Sequence, residues 1–200
     1  ERISQVYLAL TKTLPVPNYL KKRGNVRQLE KDFVLETLSA IATKSKPVQQ
    51  AIGKSNSQKN KVLVLGQCFS LWGLFTWEEE LSIYSKIISL LLEYNFTPIW
   101  KEHPRMTQPF YPQLANKHPS LQTLELNLHY SYPIELFVKE LNLMGCVSLT
   151  STSLFYLKDL FEIPTYTLAE ELSDRCLEKN VLNHFYTTAQ VVSEHILPLK

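Results

Sequence analysis

Glycine is scarce in this sequence: five of the 200 residues are glycine, and they are not clustered. The chain therefore has neither a P-loop nor a GxGxxG motif, the glycine-rich arrangements whose backbone N–H groups wrap a triphosphate or a dinucleotide. If the protein binds a nucleotide, we expect side chains and one helix terminus to hold a nucleoside monophosphate end.

Cysteine is rare as well, and Cys68, Cys146 and Cys176 lie far apart with no CxxC pair. An odd number of cysteines without the spacing of a disulfide framework predicts reduced, buried thiols in a cytosolic protein. The five histidines include no i,i+4 pair and have no neighbouring cysteine, which argues against a zinc site. No GxSxG motif occurs either. We expect neither a metal nor a resident cofactor.

A large net charge and a long apolar run are also missing. The formal net charge is +2, which argues against a nucleic-acid partner and requires any basic site to be local. The most apolar stretch, residues 81–96, is interrupted by Lys86 and Glu93 and is shorter than a bilayer requires. The chain opens on Glu1-Arg2, so we expect a piece of a longer protein.

The composition is that of a globular protein, with 44% hydrophobic and 20% charged residues. Residues 43–61 are poor in large apolar side chains and are typical of a linker. We therefore predict an N-terminal segment with its linker over residues 1–58 and a regular body over residues 59–200.

The body alternates between short apolar runs and helical periodicity, which predicts an α/β fold: a Rossmann-like parallel sheet with helices on both faces. The N-terminal segment adds one strand around ISQVYLAL and one helix over residues 29–42. Strands in the body are predicted at residues 61–66, 97–101, 121–126, 145–149 and 163–168, and helices at residues 77–94, 111–117 and 133–142 and from Thr152 or Ser153 onwards.

Ligands of an open parallel sheet bind at the carboxyl ends of the strands, where helix N-termini converge. Donors for phosphate oxygens and a carboxylate that could accept ribose hydroxyls collect at this predicted edge, which favours a nucleotide. The residues that follow the strands include Gly66, Gln67, Cys68 and Ser70; Lys101, His103, Pro104 and Arg105; His129, Tyr130, Tyr132 and Glu135; and Thr150, Ser151, Thr152 and Ser153.

Each of these features also has an ordinary structural interpretation. Hydroxyl residues at a helix start usually cap it, Lys-x-His-Pro is common in turns, and Glu135 could simply face the helix dipole. The same dipole explains the WEEEL run, and Trp72, Phe75 and Trp77 are more typical of packing than of binding. A second His-Pro, at His118, precedes a strand and is predicted to lie at the opposite edge as a turn residue. Because the residues that follow the strands are all predicted to lie at one edge of the sheet, the functional interpretation is favoured.

Four short motifs resemble those of bacterial lipooligosaccharide sialyltransferases and capsular polysialyltransferases. They are LVLGQ at 63–67, KEHP at 101–104, PIEL at 133–136 and SLTSTSL at 148–154, and they occur in the order seen in those families. The resemblance covers roughly residues 60 to 165. It rests on an HP motif and a later Ser–Ser/Thr motif.

The resemblance implies the donor-binding half of a GT-B glycosyltransferase. Such an enzyme transfers sialic acid from CMP-sialic acid to a glycan acceptor, lipooligosaccharide or capsular polysialic acid, with inversion and without a metal. It would be cytoplasmic, with peripheral association at the inner membrane. By the same resemblance, His103 is the catalytic residue at the CMP phosphate, Lys101 helps to hold the nucleotide, Glu135 binds the ribose, and Ser151 and Thr152 bind the phosphate. Gly66, Gln67, Pro104 and Ser153 complete the expected donor site.

The sequence departs from these families in one respect: it lacks the Asp/Glu-Asp/Glu-Gly motif that supplies their general base. Asp32 and Glu36 precede the body, but nothing in the sequence identifies either as a base. The chain on its own could bind a nucleotide without turning it over. The alternatives are a GT-B transferase for another nucleotide sugar and a non-catalytic Rossmann-like interaction domain.

Overall fold

The computed structural model describes residues 5–8, 25–46, 48–50, 59–124, 132–169 and 197–198. Its strands are β1 Gln5–Leu8, β2 Asn25–Gln28, β3 Lys61–Leu65, β4 Thr97–Lys101, β5 Gln122–Thr123, β6 Gly145–Ser148, β7 Thr165–Thr167 and β8 Leu197–Pro198. Its helices are α1 Lys31–Lys44, α2 Trp77–Glu93, α3 Tyr111–Lys117, α4 Val138–Leu141 and α5 Ser153–Phe161, with 3₁₀ turns at Phe69–Trp72 and Ile134–Leu136.

Six strands form one parallel sheet in the order β5-β4-β3-β6-β7-β8. The central strand β3 is buried along its whole length, as expected for an apolar run covered on both faces. Helix α2 packs on β4, and α5 packs on β6 and β7. The predicted α/β Rossmann-like fold is confirmed. Strands β1 and β2 form a separate parallel pair.

The strand order determines where a ligand can bind. From β3 the chain moves outward through β4 and β5 and then returns to β6, on the other side of β3. Connections therefore diverge between β3 and β6, and a crevice opens at the carboxyl ends of these two strands.

Helix α2 follows its sequence pattern closely. Thr76 and Glu79 form the predicted capping box, in which each side chain accepts the other residue's backbone N–H. The predicted apolar face is buried: it consists of Leu81, Tyr84, Ile88 and Leu91. This face anchors the helix to the sheet.

The predicted helix over residues 133–142 is wrong as a single element. It is divided into the 3₁₀ turn Ile134–Leu136 and helix α4, with Phe137 between them. Leu136, Phe137 and Val138 are all buried, and three consecutive buried side chains do not fit the single apolar stripe of an amphipathic α-helix. A tighter turn directs each of them into the core.

Other elements differ mainly at their ends. The predicted strand at 121–126 is represented by β5. Residues 125–131, which include His129 and Tyr130, lie outside the described residues, as does Cys176. Helix α1 continues to Lys44, into the predicted linker. Residues 51–58 are not described, so the boundary near residue 58 stays a prediction.

Cys68 and Cys146 are free and buried, as predicted. None of the described helices is long and apolar enough to span a membrane.

Gly66, directly after β3, should not tolerate a side chain. A methyl group there would lie 2.7 Å from the Trp100 ring, and the buried indole has no room to move. We expect Gly66→Ala to lower the free energy of unfolding by about 1–3 kcal/mol in urea titrations. Gly145→Ala is the control, since its methyl would meet nothing closer than 3.4 Å. Equal effects of the two substitutions would contradict this explanation.

Candidate functional site

A cleft of about 450 Å³ opens at the carboxyl ends of β3, β4 and β6. The nine residues predicted for the donor site all line it: Gly66, Gln67, Lys101, His103, Pro104, Glu135, Ser151, Thr152 and Ser153. Tyr132 and Thr150 line it too, whereas Cys68, Ser70 and Arg105 do not. The structure therefore brings the predicted residues together, while their individual roles stay predictions.

Gln67 forms the floor of the cleft at the point where the connections diverge. Its backbone N–H donates to the Tyr84 hydroxyl at 2.7 Å, and its side-chain amide reaches the Ser148 Oγ at 3.4 Å. Ser148 in turn donates to the Leu65 carbonyl at 3.1 Å. These bonds fix Gln67 between β3 and β6.

His103 lies half-buried just beyond β4, and its ring is oriented by the backbone. The Arg105 N–H donates to His103 Nδ1 at 3.2 Å. Because Nδ1 accepts, the neutral ring carries its proton on Nε2. Burial, together with the positive charges of Lys101 and Arg105, lowers the pKa of His103. In the free protein His103 is therefore a neutral donor through Nε2.

Lys101 is the buried cation of the cleft. It ends β4 and is 8% exposed. Burial lowers its pKa, and the negative charges of Glu135 and Glu102 oppose that shift. Glu135, in the 3₁₀ turn before α4, thus lies close enough to Lys101 to act on it electrostatically. The two residues bring opposite charges to the same cleft.

The hydroxyl residues after β6 differ in their hydrogen bonds. Ser151 Oγ accepts the Ser153 N–H at 3.3 Å, at the start of α5. The buried Thr150 Oγ1, by contrast, has no hydrogen-bond partner within the described part of the chain. The N-cap residue of α5 is Thr152, and its side chain makes no capping hydrogen bond. The bond of Ser151 is thus local to the turn before the helix, and Thr150 offers an unused hydroxyl.

Glu80 is a feature that the sequence analysis missed. Its side chain is fully buried and accepts hydrogen bonds from the Phe69 N–H at 3.3 Å, the Ser70 N–H at 2.8 Å and the Tyr84 hydroxyl at 3.3 Å. The helix dipole alone does not explain such a carboxylate. Its spacing of four residues from Tyr84 was the available signal, since both fall on the buried face of α2.

The two carboxylates that precede the body in the sequence lie elsewhere. Asp32 and Glu36 line a second groove of about 880 Å³ between α1 and the body. Glu135 lines both this groove and the cleft. Neither Asp32 nor Glu36 lines the cleft itself.

The aromatic residues and the second His-Pro follow the sequence analysis with one exception. Phe75 is buried, and Trp77 stacks on Phe110 with ring centroids 5.3 Å apart. Trp72, however, is 38% exposed and lines the cleft.

His118 lies just before β5, as predicted, where Nε2 is 2.8 Å from the Ser85 hydroxyl. No group of three or more metal-ligating side chains occurs in the described ranges.

Comparison with protein families identifies the chain. A sequence model of the alpha-2,8-polysialyltransferase family matches residues 1–170. The chain belongs to this family. No individual curated protein matches it. The polysialyltransferase match begins well before the motifs at 60–165, so the N-terminal residues also carry the family pattern. The protein is thus a glycosyltransferase of the sialyltransferase type.

Glu80 gives a prediction for the pH dependence of stability. Burial raises the pKa of its carboxyl, so the folded state binds the proton more tightly than the unfolded state. The contribution of Glu80 to the free energy of unfolding therefore falls as the pH rises above the pKa that its carboxyl has in the unfolded state. Glu80→Gln cannot ionise, and its stability relative to wild type should increase from pH 4 to pH 7 in urea titrations.

The exposed Glu78 in the same turn provides the matched control. Glu78→Gln should show no such gain in relative stability as the pH rises. A flat difference between wild type and Glu80→Gln over the same range would contradict the proposed cost of ionising Glu80.

Proposed function

We propose that the cleft binds the CMP portion of CMP-sialic acid and that the sialyl group leaves from there to a glycan acceptor. The observation that carries the proposal is the convergence of Lys101, the Nε2–H donor of His103 and the hydroxyls of residues 150–153 in one cleft. These are donors for phosphate oxygens, and they come from the ends of two different strands.

The position that we propose for the phosphate follows from which backbone N–H groups already have an acceptor. Glu80 accepts the Phe69 and Ser70 N–H groups after β3, so these amides are not available to an anion. The donors that we assign to the phosphate lie after β4 and β6. A single phosphate between His103 and the start of α5 is therefore the arrangement that we propose.

The transfer step needs stabilisation of the departing nucleotide. Breaking the bond between the sugar and the phosphate oxygen leaves negative charge on CMP and develops positive charge on the sugar ring. Lys101 and His103 would stabilise the phosphate charge in a partly desolvated site. An anion beside His103 favours its protonated form, so the neutral ring of the free protein would take up a proton at Nδ1 as CMP binds. The Arg105 N–H would then no longer donate to Nδ1.

In this proposal Glu135 accepts the two ribose hydroxyls, and the reaction is inverting and independent of metal. An acceptor hydroxyl would attack the opposite face of the sugar and lose its proton to a base. We assign no base among the residues that line the cleft. The acceptor proposed from the motifs is lipooligosaccharide or capsular polysialic acid.

Nucleotide binding tests the donor site directly. Calorimetric titration with CMP, UMP and AMP, without metal, should show selective binding of CMP. His103→Ala should weaken CMP binding about 10- to 100-fold, the range for losing a hydrogen bond to a charged group. His118→Ala is the matched control, because this His-Pro histidine does not line the cleft and its loss should leave the CMP affinity unchanged.

Other outcomes of the same titration favour the alternatives. Selective binding of UMP or AMP would indicate a different nucleotide sugar. Absence of binding to all three nucleotides would contradict the donor site and support a non-catalytic module.

Proton uptake tests the role of His103. Because the pKa of His103 is lowered in the free protein and an anion raises it, CMP affinity should increase from pH 8 to pH 6. Calorimetry in two buffers of different ionisation enthalpy should show uptake of a fraction of one proton. His103→Gln should take up less, and this difference isolates the imidazole from the CMP phosphate, which titrates in the same range. Equal uptake in both proteins would exclude His103 as the acceptor of the proton.

A further inference from the structure

Glu102 lines the cleft between Lys101 and His103, but its carboxylate is buried. The residue is 3% exposed. Its Oε2 atom accepts hydrogen bonds from Trp100 Nε1 at 3.0 Å, the Phe110 N–H at 2.9 Å and the Tyr111 N–H at 3.2 Å. One oxygen atom thus serves three donors.

Two of these donors close a loop. Glu102 is at the beginning of the segment 102–111, and Phe110 and Tyr111 are at its end, where α3 begins. Inside the segment, the Met106 N–H donates to the His103 carbonyl at 3.0 Å, and the Met106 side chain is buried. The carboxylate therefore joins the two ends of the loop that carries His103.

The orientation of the His103 ring depends on this loop. The ring is fixed by the Arg105 N–H on Nδ1, two residues along the same segment. If the loop opened, the turn that places Arg105 N–H against Nδ1 would lose its support, and the ring could adopt either neutral tautomer.

We propose that Glu102 is a positioning residue: its carboxylate accepts the Phe110 and Tyr111 N–H groups, closes the 102–111 loop, and thereby holds His103 as an Nε2–H donor in the cleft.

The chemistry of Glu102 supports this role. Burial raises the pKa of its carboxyl, so an ionised group at this place is costly to the fold. Its second oxygen, Oε1, has no hydrogen-bond partner among the residues that the structure describes. An apolar side chain would avoid that cost but would leave the Phe110 and Tyr111 N–H groups without their acceptor, which is also unfavourable. The acceptor atom is therefore the feature that the loop requires.

Two substitutions of similar size separate the acceptor from the bulk of the side chain. In Glu102→Gln the amide oxygen can still accept the N–H groups, whereas Glu102→Met fills the same space without an acceptor. Long-range ¹H–¹⁵N spectra of the full chain without ligand report the tautomer of His103. We expect the Nε2–H form to remain dominant in Glu102→Gln and to become mixed with the Nδ1–H form in Glu102→Met.

CMP affinity is the second readout, and this part of the test rests on the proposed function. We expect a loss of at least tenfold in Glu102→Met and of less than threefold in Glu102→Gln. If wild-type protein does not bind CMP, the donor-site proposal fails, while the tautomer measurement still decides the role of Glu102.

Glu80→Met is the matched control. Glu80 is a second buried carboxylate that accepts two backbone N–H groups, but those belong to Phe69 and Ser70 in a different turn. Its substitution should lower stability and leave the His103 tautomer unchanged. The proposal is overturned if folded Glu102→Met keeps the wild-type tautomer, if Glu102→Gln loses it equally, or if Glu80→Met loses it too.

Hydrogen exchange extends the test in case Glu102→Met does not fold. An amide is a weaker acceptor than a carboxylate, so the Phe110 and Tyr111 amides should exchange at least threefold faster in Glu102→Gln, together with a measurable increase in the Nδ1–H form. Faster exchange with an unchanged tautomer population would show that closing the loop does not orient His103.

Discussion

The carboxylate of Glu80 accepts the backbone N–H groups of Phe69 and Ser70 immediately beyond the central strand. In an open parallel sheet the first turn after such a strand commonly binds a phosphate through these groups. Here the protein fills the position with its own anion, carried by helix α2. The donors that we propose for the phosphate consequently lie after β4 and β6, away from that first turn.

The same carboxylate is also connected to the floor of the cleft. Glu80 accepts the hydroxyl hydrogen of Tyr84, and Tyr84 accepts the N–H of Gln67. A buried chain of hydrogen bonds thus runs from the first turn of α2 to the point between β3 and β6. Because each group is buried and paired, a change at one is costly at the next. The shape of the floor is therefore a property of the helix as much as of the strands.

Much of this architecture could be predicted from local patterns. The apolar runs and the capping box located β3, β4 and α2, and the rule that ligands bind at carboxyl ends of strands selected residues that do line one cleft. Position also separated His103 from His118, although both precede a proline. These successes depend on interactions within a few residues or on the topology of parallel sheets.

The buried carboxylates could not be predicted in the same way. Glu is mostly exposed in proteins, and the sequence analysis related Glu80 only to the helix dipole and gave Glu102 no role. Their burial depends on donors that are 8–11 residues away in the sequence and become neighbours only in the folded chain. The interruption at Phe137 is similar, because it depends on which directions in the core remain to be filled. Tertiary packing decides such features, and a single sequence does not display it.

The contact between Gly66 and the Trp100 ring has a consequence for the evolution of the protein. Trp100 lies on β4 and Gly66 directly follows the neighbouring strand β3, and the indole occupies the space that any side chain at position 66 would need. A larger residue at 66 requires a smaller one at 100, whereas a smaller residue at 100 requires no change at 66. Among relatives that keep this sheet, a side chain at position 66 should therefore occur only together with a residue smaller than tryptophan at position 100.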